Sequence, residues 1–289
     1  MSQKQLTRIL PSASTHWVGD GFPVRTLVSI ARDAVQASPF LMLDYAGPHR
    51  FAPSDAPRGV GMHPHRGFET VTIVYQGEVA HRDTAGNSGV IGPGDVQWMT
   101  AGAGVLHEEF HSQAFTARGG VLEMAQLWVN LPARDKRRAP AYQAVVSGQI
   151  PAIVLDGGSG GVRVIAGDYA GVQGPALTRT AMNVWDLTLH ADRSTAFVLP
   201  DGWTAMLVVL RGAIEVGGRR IDALQTAHFS RSGTTIDILA QADSQALLLS
   251  GAPLDEAIAH YGPFVMNTRQ ELLEAVAAFE RGDFQTPAV

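Results

Sequence analysis

The sequence predicts an all-β protein of two tandem β-barrels with a short helical segment near its C-terminus. Three observations point there. Apolar or alternating runs bounded by Gly, Pro, Asn or Asp recur through most of the 289 residues, as barrel strands do. Two distant stretches, TVTIVYQGEVAHRD (70–83) and AMLVVLRGAIEVGG (205–218), share one plan of apolar strand, glycine turn and second strand. A helical period enters only in the last fifth.

In chain order, TVTIVY (70–75), GVIGPGDVQWM (89–99) and VLEMAQLWVNL (121–131) read as strands. LPARDKRRAPA (131–141) is polar and flanked by proline, and reads as a boundary. The expected domains are therefore 1–135, a metal-binding barrel, and 136–289, a barrel without ligands that ends in helix. Within the boundary, the basic run RDKRR (134–138) reads as a solvated linker. Strand-like segments resume with AIVLD, VRVIAG, WDLTLH, AMLVVLRGAIEV and IDILA. LDEAIAHY (254–261) reads as a short helix. A second helix starts at Thr268, which can form a capping box with Glu271 and sets Leu272, Val276 and Phe279 along one side.

Composition narrows the chemistry. A hydrophobic share of 45% with 17% charged residues is that of a globular chain. There is no cysteine, so disulfides, iron–sulfur clusters and thiol nucleophiles are excluded, and any metal site must use His, Asp and Glu. A net charge of −5 argues against direct nucleic-acid binding. No apolar run approaches the roughly 18 residues of a membrane span. The start, MSQKQLTRILPSASTHW, lacks the apolar stretch of a secretory signal, and the expected compartment is the cytoplasm.

The chemistry concentrates in two segments. In a strand, residues two apart share a face, so His63 and His65 in GVGMHPHRGFETVT can point into one cavity. AGAGVLHEEFH then offers His107, Glu109 and His111 at the same spacing. If both segments line one barrel, His63, His65, His107 and Glu109 can meet on one cation. Three imidazoles and a carboxylate without thiolate favour iron, Fe(II), with manganese, nickel, copper and zinc also admissible. Four protein ligands on a six-coordinate ion leave two positions open, which implies chemistry. Glu69 shares the numerical parity of the first pair and is an alternative carboxylate, a support for a ligand, or a buried acceptor. His111 reads as a support or as exposed, Glu108 as a surface group, and His81 equally as cavity wall or surface. His16, His49, His190, His228 and His260 form no cluster. Superposing Gly77 on Gly212 sets Val198, Pro200 and Thr204 where His63, His65 and Glu69 stand, a frame without ligands.

HPHRGFETVT (63–72), GDVQWMTAGAGVLHEE (94–109) and GPFVMNT (262–268) resemble the pirin family of the cupin superfamily, and the resemblance spans nearly the whole chain. It implies a bicupin with metal in the N-terminal barrel only. The family's three-histidine, one-glutamate iron site falls on His63, His65, His107 and Glu109, which leaves Glu69 as a supporting residue. His111 stands where ordinary cupins often carry Asn. Several pirin-like proteins resemble quercetin dioxygenases, which open the central ring of a flavonol with O2 and release carbon monoxide. For this chain that implies Glu109 as general base for the flavonol 3-hydroxyl, with the metal favouring the anion. Phe68, Trp98, Met99 and Trp128 are candidate walls for a flat aromatic substrate, against the plainer reading of core packing. The alternative the family offers is an iron-containing, redox-sensitive regulator that binds a transcription factor or metabolic enzyme. Many pirin-like chains work alone, so a monomer is expected.

Overall fold

The computed structural model describes residues 2–285. Two compact units emerge, and neither is continuous in sequence. One comprises Ser14–Thr26, Phe40–Ser147 and the chain from Asp255 onward; the other comprises the residues up to Ala13, Leu27–Pro39 and Gly148–Leu254. A single cut at 135/136 is therefore corrected in two ways. The crossing lies at 147/148, because Ala141–Val145 completes the first unit's large sheet beside Val96–Thr100. Each unit also recruits a distant terminal segment. Leu6–Pro11 is the edge strand of the second unit, paired with Gln225–Phe229. The helix Arg269–Glu280 belongs to the first.

Both units are built alike, each from an antiparallel seven-stranded sheet and a four-stranded sheet. In the first unit the small sheet runs Gly59–His65, Val105–His111, Val79–Asp83, Ser88–Ile91. In the second it runs Arg193–Val198, Thr235–Ala240, Ala213–Val216, Arg219–Asp222. The stretch GVIGPGDVQWM is two strands rather than one, since Gly94 at φ +86° turns the chain and sends its halves into different sheets. Gly77 and Gly212 turn the matching corners at φ +84° and +83°.

That match locates what the second barrel lacks. Val79, two residues past Gly77, lies opposite His111, and Ile214, two past Gly212, lies opposite Ala240. Counting back two and four residues on each partner strand, Ile238 and Ile236 stand where Glu109 and His107 do. Both isoleucines are buried in an apolar cluster with Trp185, Phe197 and Leu248.

The C-terminal helix has the expected capping box on Thr268 and Glu271. Leu272 and Val276 pack on Phe264, Ala275 and Phe284, while Phe279 is 40% exposed. LDEAIAHY is not a helix. Asp255 takes a left-handed φ of +51°, and Ala259–Tyr261 pairs with Phe264–Met266 across the Gly262–Pro263 turn. The basic run also needs correction. Arg134 and Arg137 are exposed, but Lys136 is 1% exposed and donates to the Gly67 carbonyl (2.7 Å), Asn130 Oδ1 (2.5 Å) and the Val265 carbonyl (3.0 Å). Among the described residues no helix is long and apolar enough to cross a membrane.

Gly67 carries the closest approach in this region. It sits at φ +86°, and a Cβ there would lie 1.9 Å from the Val265 carbonyl oxygen. Gly67→Ala is expected to cost roughly 2–4 kcal/mol by strain and overpacking together. Gly86→Ala, at φ +90° with open space around it, should cost only about 1–2 kcal/mol for the left-handed conformation. Urea unfolding of the two variants tests the difference; equal costs would refute the steric account.

Candidate metal centre

Gly59–His65 and Val105–His111 pair antiparallel, with His107 directly opposite His63. The two-residue period then turns His63, His65 and His107 to one inner face. Their ring centroids are 4.2–4.8 Å apart, and one potential ligand atom from each lies within 4.8 Å of the others. His63 Nδ1 lies 2.8 Å from the Gly61 carbonyl, which leaves its Nε2 facing the group. His65 is hydrogen-bonded to the Pro263 carbonyl, and its Nδ1 has no partner. His107 Nε2 likewise has none. Burial, reinforced by the neighbouring imidazoles, holds the His65 and His107 rings well below the usual histidine range, so both are neutral at pH 7. Neutral imidazoles with unpartnered, converging lone pairs are what a divalent ion requires, and the donor set fits one.

Glu109 shares the inward face of its strand with His107 and is 3% exposed. Its carboxylate lies outside the histidine group. It accepts from Gln126 Nε2 (2.8 Å), Gln97 Nε2 (3.3 Å) and Thr72 Oγ1 (3.3 Å). Gln97 Oε1 accepts from the Tyr142 hydroxyl at 3.2 Å. Burial, then the charges of Asp83 and Glu109, pushes that phenol up to about 12, so it keeps its proton as a donor. His81 is buried beside His107 rather than exposed. Its ring stacks on Tyr142 (4.9 Å, 17°) and its Nδ1 lies 3.4 Å from His107 Nδ1. Its Nε2 is 3.1 Å from Asp83 Oδ2. Burial alone would raise the Asp83 carboxyl, but hydrogen bonds from His81 and Asn87 outweigh it and hold the group below its ordinary range. Sequence reasoning passed over Thr72, Gln97, Gln126 and Tyr142. The signal for the first three was a polar side chain at an inward position of an apolar strand.

Two family models match the chain, Pirin over residues 21–129 and the Pirin C-terminal cupin domain over 184–285. The chain belongs to the pirin family. It is 53% identical over 281 residues to a Pseudomonas aeruginosa protein named "Putative quercetin 2,3-dioxygenase", covering 97% of this chain and 98% of that protein. A pirin-like protein of Solanum lycopersicum is 37% identical, with coverage of 91% and 87%. The crystal structure of a quercetin 2,3-dioxygenase from Acinetobacter baumannii is 50% identical, covers 98% of this chain and 99% of that one, and superposes with a TM-score of 0.96.

In this pirin the remaining expected residues separate by strand parity. Thr72, Gln97 and Gln126 all reach Glu109, so they mark the inner face of the large sheet. Phe68, Met99 and Trp128 share that face by the two-residue period. Phe68 and Trp128 flank His65 at 5.0 and 5.2 Å, and Met99 packs with Ala101, Val105 and Tyr142. Glu69 and Trp98 have the opposite parity and face away. Glu69 accepts from Thr100 Oγ1 at 2.6 Å on that far side. Its agreement in number with His63 and His65 misleads because the chain leaves the strand at Arg66 and Gly67. His111 is neither exposed nor beside the triad. Its ring packs edge-on against Phe22, Phe51 and Phe115, and its Nε2 lies 3.0 Å from the Gly21 carbonyl. Glu108 points outward to Arg82.

Proposed function

We propose that this pirin is a metal-dependent dioxygenase that opens flavonols such as quercetin with O2, using Fe(II) held by His63, His65, His107 and Glu109. The unpartnered, buried nitrogens of His65 and His107 beside His63 carry the reading. The absence of thiolate favours iron, with manganese, nickel, copper and zinc as competitors. The names of the Pseudomonas and Acinetobacter relatives support the substrate class. When bound, the ion supplies Lewis acidity that favours the deprotonated 3-hydroxyl of the flavonol.

The chain's own residues do the rest. Glu109 takes the hydroxyl proton, and the amides of Gln97 and Gln126 with the Thr72 hydroxyl fix the position of its carboxylate. With a cation present, Glu109 would be both the fourth ligand and the base, and one of these three donors would have to release its carboxylate. Of the three apolar residues on this face, Trp128 keeps exposed surface beside His65 and gives a flat substrate its wall, while Phe68 packs against the indole at 4.2 Å and Met99 is buried near Tyr142.

The test uses protein loaded with Fe(II) without oxygen, then mixed with quercetin in air while flavonol absorbance and carbon monoxide are followed. Turnover is expected, and it should fall at least 100-fold in Glu109→Ala, the scale of a lost general base. Glu69→Ala should keep its metal and its rate. Bound iron with no turnover would end the enzyme reading for this substrate. Loss of metal in Glu69→Ala alone would reverse the carboxylate assignment.

A further inference from the structure

We propose that Asp83 and His81 form a buried relay that fixes the tautomer of His107 and sets its strength as a metal donor. The inference rests on the reading that His107 holds the metal. At one end, Asp83 can only accept. Its Oδ2 lies 3.1 Å from His81 Nε2, and Asn87 holds the carboxylate through its backbone N–H (2.9 Å to Oδ1) and its side-chain amide (3.2 and 3.0 Å). His81 therefore carries its proton on Nε2. At the other end, the carboxylate of Glu109 requires the amide nitrogen of Gln97 to face it, and the Tyr142 hydroxyl donates to the amide oxygen. The same amide nitrogen lies 3.4 Å from His81 Nδ1, which must then be an acceptor. Both ends impose one tautomer on His81.

The consequence passes to His107. Its Nδ1 also lies 3.4 Å from His81 Nδ1, whose single lone pair is shared between this contact and the Gln97 amide, so His107 Nδ1 is the donor of its pair and carries the proton. Its Nε2 is left as a lone pair, and this is the nitrogen without a protein partner. The reverse arrangement would put the His107 proton on Nε2 and close the site to a cation. A ligand imidazole whose far N–H is held by a carboxylate-backed acceptor is a stronger donor, and loss of such support typically costs 10–100-fold in metal affinity. His81 and Asp83 have side chains 0% and 1% exposed, so water does not substitute for either. His81 is a positioning residue: it acts through His107.

Imidazole nitrogen NMR of the metal-free protein reads the tautomers directly, with His81 expected on Nε2 and His107 on Nδ1. A proton on His81 Nδ1 overturns the proposal whether or not metal binds. In a second arm, His81→Phe keeps a ring against Tyr142 but removes the acceptor. It is expected to bind zinc or Fe(II) 10–100-fold more weakly and to move the iron midpoint potential to more positive values. His81→Asn, with an amide oxygen near the place of Nδ1, should recover most of both. Wild-type affinity and potential in His81→Phe, with metal lost in His107→Ala, would sink the relay and leave the metal site standing. A wild-type protein that takes no metal would sink both.

Discussion

His107→Ala is expected to abolish metal binding and, with it, the stabilisation that added metal gives the folded protein. His107 is fully buried and its ring lies 4.2 Å from His63 and 4.8 Å from His65. Removing it leaves two imidazoles and a Glu109 carboxylate that Gln126, Gln97 and Thr72 already hold outside the histidine group, so the ion loses the donor that joins the two strands. A ligand at 100 times its dissociation constant stabilises the native state by about 2.7 kcal/mol, or roughly 4–5 °C in Tm for a protein of this size. That shift should appear in the wild type on adding Fe(II) without oxygen, or zinc, and vanish in the variant. His228→Ala is the informative control. His228 is also buried, its Nε2 also lacks a partner, and burial pushes it down to about 4. It joins no group of metal-capable side chains among the described residues. If convergence rather than burial makes the site, His228→Ala should keep the full metal-dependent shift. A shift that survives in His107→Ala would show the cation sits elsewhere.

The triad was legible because both of its segments are regular strands, where spacing converts directly into direction. His63 and His65 share a face by the two-residue period, and the pairing of their strand with Val105–His111 does the rest. The same arithmetic failed for Glu69, since a period holds only while the strand does, and Gly67 at φ +86° resets it. His81 was undecidable for another reason. Whether its strand turned it inward depended on pairing with Val105–His111, a contact that local pattern does not encode. The bicupin plan was visible in the repeat about Gly77 and Gly212, while the exchange of terminal segments was not. An edge strand such as Leu6–Pro11 looks the same whichever sheet it joins. LDEAIAHY has the composition of a helix, but the ribbon closed by Gly262 and Pro263 overrides a weak local preference. Lys136 was misread because charge usually means solvent, and nothing near it in sequence announces three buried acceptors.

Lys136→Met is expected to cost about 3 kcal/mol at high pH, the second large effect, and the cost should shrink as the pH falls toward 7. The substitution keeps the apolar stem and removes the donors to the Gly67 carbonyl, Asn130 Oδ1 and the Val265 carbonyl, three N–H groups in the ammonium and two in the neutral amine that prevails at high pH. Each buried acceptor left unpaired costs about 1–3 kcal/mol. Opposing this is the penalty of burying an ammonium. Burial pushes Lys136 down to about 7 from 10.5, against a smaller upward pull from Glu256 and Glu271. Between those two values the unfolded chain holds more protons than the folded one, so stability rises with pH through that window. The penalty is fully present below about 7 and is relieved toward 10.5. Methionine carries no such penalty at any pH, and the difference between wild type and variant should therefore grow from pH 7 to pH 10 in urea unfolding. A difference that stays flat, or narrows as pH rises, would contradict the assignment. The same tie bears on the metal. Gly67 and Val265 belong to the turn and ribbon that carry His65 and its Pro263 partner, with Arg66 N–H donating to the Pro263 carbonyl at 3.2 Å and Val265 N–H to the Arg66 carbonyl at 3.0 Å. Slackening that frame lets the His65 ring wander, and Lys136→Met should also bind metal more weakly than its stability loss alone would cause.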